Sequence, residues 1–274
     1  MNMTKIAQII RKAGKIALEY EGENCKIDYK PDGTLVSDAD KLIGEFITLE
    51  VQKLYPDYLI IQEETVDPKI HTPERLAEGY VVVVDPIDGT TSFREAFHSW
   101  GILLGLLHNG KPIEGIAYYP RYNEMFFTRN GKTFLKHQQF EKELNVLARP
   151  DYRKSQQYQE HRMKSLIINV DPLAFQRFDF SKFSGRIFVQ TGVYAFTVFA
   201  RGMSSCLLVT PGLDLTDLAA GFAIVNNAGG ELRYLSGELV QLSDLFHLNG
   251  NDRDIIACPK GEFDNVIRHF VQRS

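Results

Sequence analysis

Cysteine is scarce in this 274-residue chain: Cys25, Cys206 and Cys258 lie far apart, with no Cys-x-x-Cys pair among them. That excludes a disulfide framework and a thiolate zinc site, and the three read as reduced thiols of a reducing compartment. Histidine offers no better ligand set, since the seven are scattered and no two sit at helical ligand spacing. Neither sign of charge dominates: 31 lysines and arginines against 35 aspartates and glutamates leave a net charge of -4. No basic face emerges, so no nucleic-acid polymer is expected as a partner. Long apolar runs are also missing. None approaches the ~20 residues of a membrane span, so no membrane partner is expected. The opening residues carry Arg11, Lys12 and Lys15 without the apolar stretch of a secretory leader, which points to a cytoplasmic location.

What is present is a chain of ordinary globular composition, long enough to bury a sizeable core. Ile6, Ile9, Ile10, Ala13, Ile16, Ala17 and Tyr20 recur at three and four residues and predict an amphipathic opening helix. Lys30-Pro31-Asp32-Gly33 reads as a turn, after which Ser37 caps a second helix with Asp40 in its first turn. A short strand over 59–62 runs into Glu63-Glu64, and the wholly apolar 80–84 predicts a buried strand ending at Asp85. Strands are expected over 100–108, 113–119 and 124–128, with turns at Gly110 and Gly131. Residues 149–164 are polar and read as a linker or a solvated helix. Beyond them strands (166–170, 187–190, 206–209, 255–258) alternate with helices (193–200, 214–227, 261–272). The change of pattern suggests an N-terminal α+β half, 1–140, carrying metal and phosphate motifs. A C-terminal α/β half, 141–274, would contribute Asp217 and a substrate wall.

The chemistry concentrates in Asp85-Pro86-Ile87-Asp88-Gly89-Thr90-Thr91. A buried strand delivers Asp85 to its carboxyl end, and Gly89 lets the backbone approach a ligand closely. The N–H groups of Gly89, Thr90 and Thr91 then form a natural phosphate seat. Two carboxylates beside an anion repel it and each other unless a cation intervenes, and magnesium takes just such oxygen ligands. Alone, the stretch reads equally as a strand followed by an Asp-Gly turn. Glu63-Glu64 alone would be solvated surface, and Asp217 alone a first-turn acid favoured by the helix dipole. Their joint presence is what argues for a site.

Together these residues resemble the inositol monophosphatase superfamily of metal-dependent, typically lithium-sensitive phosphatases. The resemblance rests on Lys30-x-Asp32-x-Thr34-x-Val36-Ser37-x-Ala39-Asp40, Glu63-Glu64, Asp85 through Phe93, and Asp217-x-Ala219-Ala220-Gly221, in the family's order. It implies a layered αβαβα sandwich of the sugar-phosphatase type and a homodimer. It implies Glu63, Asp85 and the Ile87 carbonyl on one magnesium ion and Asp85, Asp88 and Asp217 on a second, with a third ion near Glu63. Glu63 and Thr90 would position the attacking water, with Asp40 hydrogen-bonded to Thr90. Asp88, Gly89, Thr90, Thr91 and Asp217 would face the substrate and its phosphate, and Lys30 and Glu64 would stand behind them. The implied activity is hydrolysis of a small phosphorylated substrate such as inositol phosphate or a related sugar or polyol phosphate. Departures fall on the substrate side: Thr210 stands where inositol-specific members place an acid, Thr216 precedes Asp217 in place of tryptophan, and Gly192-Val193-Tyr194-Ala195 is bulkier than the family's run. A 3'(2'),5'-bisphosphate nucleotidase is therefore the alternative, with a non-catalytic binding or regulatory relative as a third reading.

Overall fold

Two side chains start the first two long helices. In the computed structural model, Asn2 Oδ1 accepts from the N–H groups of Thr4 and Lys5 at 3.1 and 3.2 Å, opening α1 (Met3–Tyr20). Ser37 and Asp40 form a reciprocal capping box at the head of α2 (Asp38–Leu54), with Ser37 N–H donating to Asp40 Oδ2 at 2.7 Å. The structure describes residues 1–22, 25–29, 35–147, 167–170, 172–181, 183, 185–190, 192–248 and 250–270. The turn expected at 30–33 and the segment 149–164 lie outside the described residues, as does Lys30.

Both helices lay their apolar stripes on one face of a seven-stranded sheet. Its members, in spatial order, are β3 (Leu59–Gln62), β4 (Tyr80–Asp88), β5 (Gly101–His108), β6 (Lys111–Tyr119), β7 (Glu124–Arg129), β8 (Lys132–His137) and β9 (Phe140–Leu144). Only β3 and β4 run parallel; every other neighbouring pair is antiparallel. A small hairpin of β1 (Ile27–Tyr29) and β2 (Leu35–Ser37) precedes α2, and the one-turn α3 (Pro73–Leu76) precedes β4. Residues 81–84 are four consecutive valines because β4 is covered on both sides. Val82 and Val84 face α1 and α2, whereas Val81 and Val83 join the core on the opposite face.

That opposite face carries α6 (Tyr194–Ala200) and α7 (Leu215–Asn227). Gly105 of β5 and Gly115 of β6 allow α7 to come close: a Cβ on Gly105 would lie 2.7 Å from that of Ala219, and one on Gly115 2.8 Å from the Ala220 carbonyl oxygen. Beyond these helices lies a five-stranded sheet ordered β11 (Arg186–Val189), β10 (Ile167–Val170), β12 (Cys206–Val209), β14 (Ile255–Pro259), β13 (Gly230–Tyr234). The first three are parallel, and β14 runs antiparallel to both its neighbours. Its outer face is sealed by Ala174 of α5 (Ala174–Arg177), Phe178 and Val266 of α8 (Phe263–Ile267). The layers are therefore helix, sheet, helix, sheet, helix, as the resemblance implies. Cys25, Cys206 and Cys258 are all free thiols.

Five strands, β1, β2, β8, β9 and β13, go beyond the expected set, and the helix expected over 261–272 is regular only over Phe263–Ile267 among the described residues. No helix among the described residues is long and apolar enough to cross a membrane.

Candidate active site

The strand β4 carries its valine run into Asp85, and its pairing with β5 slips between Asp85 and Asp88. This irregularity lets Ile87 N–H turn back onto Asp85 Oδ1 at 2.9 Å. Gly89 then adopts φ 84°, ψ 50°, a left-handed conformation that any Cβ would strain, and the short helix α4 (Thr90–Arg94) starts with no side-chain cap. The first N–H groups of α4 are thus left to a ligand or water. Beside β4, the parallel register pairs Gln62 with Val84, so Glu63 emerges next to Asp85.

From the other direction, Asp214 caps α7 and accepts from Thr216 N–H at 2.7 Å and Asp217 N–H at 3.3 Å. Asp217, third in the helix, accepts in return from Asp214 N–H at 2.8 Å, which fixes its carboxylate at the helix head. The result brings together Asp85, Asp88 and Asp217, with one oxygen from each lying within 4.8 Å of the others. Asp85 and Asp88 are buried and Asp217 is half-buried.

Electrostatics mark the same cluster. Loss of solvent, followed by the charge of Glu63, Asp88, Asp217 and Asp40, drives the Asp85 carboxyl well above the ordinary carboxylate range. Asp217 is raised similarly, first by loss of solvent and then by Asp214, Asp88 and Glu63. Burial is also the main cause at Asp88, pushed up to about 7, and at Asp40, likewise pushed up to about 7 with Glu63 and Glu64 contributing. Five carboxylates thus feel one another in one place, a grouping that stays ionised at neutral pH only with a compensating cation. The donor set consists of oxygen alone, which suits magnesium and its hard relatives rather than zinc or copper.

Asp40 itself departs from expectation. Its Oδ2 accepts from the Ser37 N–H and hydroxyl, while Oδ1 is buried with no partner. The expected hydrogen bond to Thr90 is not formed, because the Thr90 hydroxyl donates instead to the Ile87 carbonyl at 3.4 Å. Thr91 lies with Thr90 in the first turn of α4, and Glu64 sits half-buried in the turn after Glu63.

Two contributors escape the sequence reading. Val193 N–H donates to Asp88 Oδ2 at 3.0 Å, and Gly192 (φ 60°) presses so close that a Cβ would overlap the Asp88 carboxylate. The segment that looks bulky in sequence therefore supplies its glycine where the acid needs room. Tyr119 is the second: its phenol is raised well above its ordinary range by burial and then by the charge of Asp88, which places the ring beside the cluster. The sole local signal for either was glycine at position 192.

A five-layered sandwich with an acidic cluster at the carboxyl end of β4 and the head of α7 defines a class, the layered fold of the sugar-phosphatase type. The chain belongs to the inositol monophosphatase family, a family of phosphatases, which it matches over residues 2–274. Inositol monophosphatase 2 of Saccharomyces cerevisiae is 33% identical over 150 residues, covering 54% of this chain and 49% of the yeast protein. The matched segment also spans only 50% of the inositol-1-monophosphatase of Bacillus subtilis, so the match reaches about half the length of these two relatives. Inositol monophosphatase 1 of Xenopus laevis aligns more fully, at 27% identity over 90% of this chain and 87% of its own. Among solved structures, the Thermotoga maritima IMPase superposes with a TM-score of 0.76 at 20% identity, covering 98% of this chain and 96% of that one.

Proposed function

We propose that the protein is a magnesium-dependent phosphate-monoester hydrolase acting on inositol phosphate or a related small polyol or sugar phosphate. The observation that carries this reading is the gathering of Asp85, Asp88 and Asp217 within 4.8 Å, with their carboxyls raised above the ordinary range. In this reading Glu63, Asp85 and the Ile87 carbonyl would hold one magnesium ion and Asp85, Asp88 and Asp217 a second, for a total of two or three ions. Bound there, magnesium supplies positive charge that acidifies water and neutralises the phosphoryl group in transfer.

The remaining steps belong to the chain. The N–H groups of Gly89, Thr90 and Thr91 hold the phosphate at the head of α4. Glu63 and the Thr90 hydroxyl orient the attacking water. Asp40, through its unpartnered Oδ1, is the acceptor to which Thr90 turns when the Ile87 carbonyl is engaged. Glu64, half-buried in the turn after Glu63, supports the carboxylates from behind. Water oxygen bonds to phosphorus and loses a proton, the ester P–O bond breaks, and the departing alkoxide takes up, in net terms, the proton the water lost.

Asp88→Asn tests the reading directly. The variant should keep its circular-dichroism spectrum and lose nearly all magnesium-dependent phosphate release, about 100-fold or more; near-normal turnover would overturn it. The family resemblance further implies a cytoplasmic homodimer inhibited by lithium, to be checked by light scattering and by phosphate release in lithium chloride.

A second reading, a 3'(2'),5'-bisphosphate nucleotidase, is favoured by Thr210, an uncharged residue that follows β12 where inositol-specific members place an acid. An inositol monophosphatase of Staphylococcus aureus sharing the fold has been crystallised with inositol monophosphate and with 2'AMP. These two ester types are therefore the ones to set against each other.

A further inference from the structure

The parallel strands β11, β10 and β12 end side by side, and the chain leaving each of them lines one cavity of about 350 Å³. Crevices outside the carboxyl ends of parallel strands are where open α/β sheets take ligands. Pro172 and Leu173 come from the end of β10, Gln190 and Gly192 from β11, and Thr210 through Leu213 from β12.

Two of these segments also build the acidic cluster. Gly192 abuts the Asp88 carboxylate and its neighbour Val193 donates to it, while Leu213 leads directly into Asp214 and the helix bearing Asp217. The cavity therefore shares its Gly192 wall with the Asp88 carboxylate and its Leu213 end with the helix bearing Asp217.

Its wall is almost entirely carbon. Among the described residues, Leu173, Phe196, Val209 and Leu213 line it, Gln190 and Thr210 provide the only polar side chains, and none is charged. A polyol ring would bring several hydroxyl groups into this space and find few partners for them, each unpaired hydroxyl weakening binding. A flat apolar group would instead shed water on both sides.

We infer that this cavity receives the leaving group of the substrate, and that the leaving group carries an aromatic ring rather than a polyhydroxylated one. This rests on the hydrolase reading above and moves the preferred ester away from the polyol phosphates. The aromatic ring can come from a simple aryl-alkyl alcohol or from a nucleobase; the chemistry that binds it is shared.

Esters of ordinary alcohols separate recognition from intrinsic reactivity, because none has a leaving group activated as a phenol is. We would compare kcat/KM with magnesium for 2-phenylethyl phosphate, adenosine 2'-monophosphate, inositol 1-phosphate and glycerol 2-phosphate. At least one aromatic ester should exceed inositol 1-phosphate by about tenfold or more, mainly through KM. The two aromatic arms then distinguish an aryl group from a nucleobase. Ala195→Phe, which fills the cavity, should bring the aromatic esters down to the polyol level. Leu173→Gln on the half-exposed rim should move them the same way should the first variant fail to fold.

An equal or greater kcat/KM for inositol 1-phosphate overturns the inference while leaving the hydrolase reading intact. If no ester is hydrolysed, the hydrolase reading fails, and the cavity is judged by calorimetry with 2-phenylethylphosphonate. Binding that Ala195→Phe or Leu173→Gln weakens about tenfold supports the cavity assignment, and no binding overturns it.

Discussion

At Gly192 the useful feature is a missing side chain. The residue holds φ 60° and lies against Asp88, so alanine there meets both backbone strain and the carboxylate. The strain alone costs about 1–2 kcal/mol, and the carboxylate, among the few side chains gathered at the site, must shift to make room. Gly192→Ala should therefore lower magnesium affinity and phosphate release by about tenfold or more while the protein still melts cooperatively. Isothermal titration with magnesium beside a thermal melt checks this, and unchanged affinity would mean that the close approach is incidental. The acids themselves were legible in sequence because each follows an apolar run or opens a helix: Asp85 after the valines of 81–84, although the strand expected to end there continues to Asp88, Glu63 after 59–62, and Asp217 in a capped helix. Gly192 and Val193 were not, because their partner is about a hundred positions away and only the packing of α6 brings them to it. Thr90 and Asp40 were legible as residues but not as a pair, since the Ile87 carbonyl competes for the same hydroxyl.

Among the elements, α7 couples packing to chemistry. It is buried along nearly its whole length and rests on β5 and β6 at Gly105 and Gly115, while its first turn presents Asp217. Gly105→Ala would drive a methyl into Ala219 at 2.7 Å. Overpacking of this kind costs about 1–3 kcal/mol, and urea denaturation should show it as a lower midpoint with an unchanged slope. The head of the helix should move with it, so the same variant should bind magnesium more weakly; full affinity despite lost stability would separate the two roles. Continuous apolar runs made β4 and β5 readable, and the small residues Ala219, Ala220 and Gly221 matched a helix wedged between two sheets. The edge strand β9, Phe-Glu-Lys-Glu-Leu, was missed because four of its five side chains are exposed and two of its charges pair with β7 and β8. Nothing in its composition separates such a ribbon from a loop; its pairing with β8 makes it a strand.

On the scale of the whole molecule, the acidic cluster ties together parts distant in the chain: β4 of the first sheet, the loop before α6, and α7 between the sheets. In the ion-free protein its carboxyls hold protons that the unfolded chain releases near pH 4, Asp40 and Asp88 until about 7. The folded state therefore binds more protons across that window, and stability is lost as pH rises through it. With chelator present, the melting temperature should fall between about pH 5 and pH 8. Magnesium should restore several degrees at the upper pH and little at the lower, as differential scanning calorimetry would record. A melting temperature independent of magnesium at the upper pH would count against the cluster as an ion site. Trp100, the sole tryptophan, is fully buried, meets Phe93 of α4 edge-on at 4.9 Å and donates from its indole N–H to Glu21 at 2.6 Å. Its ultraviolet emission thus originates at one known spot just behind the turn at Gly89. The protein carries a built-in optical gauge there, and the arrival of a cation or an anion at that turn can be followed by eye of a fluorimeter with no dye attached.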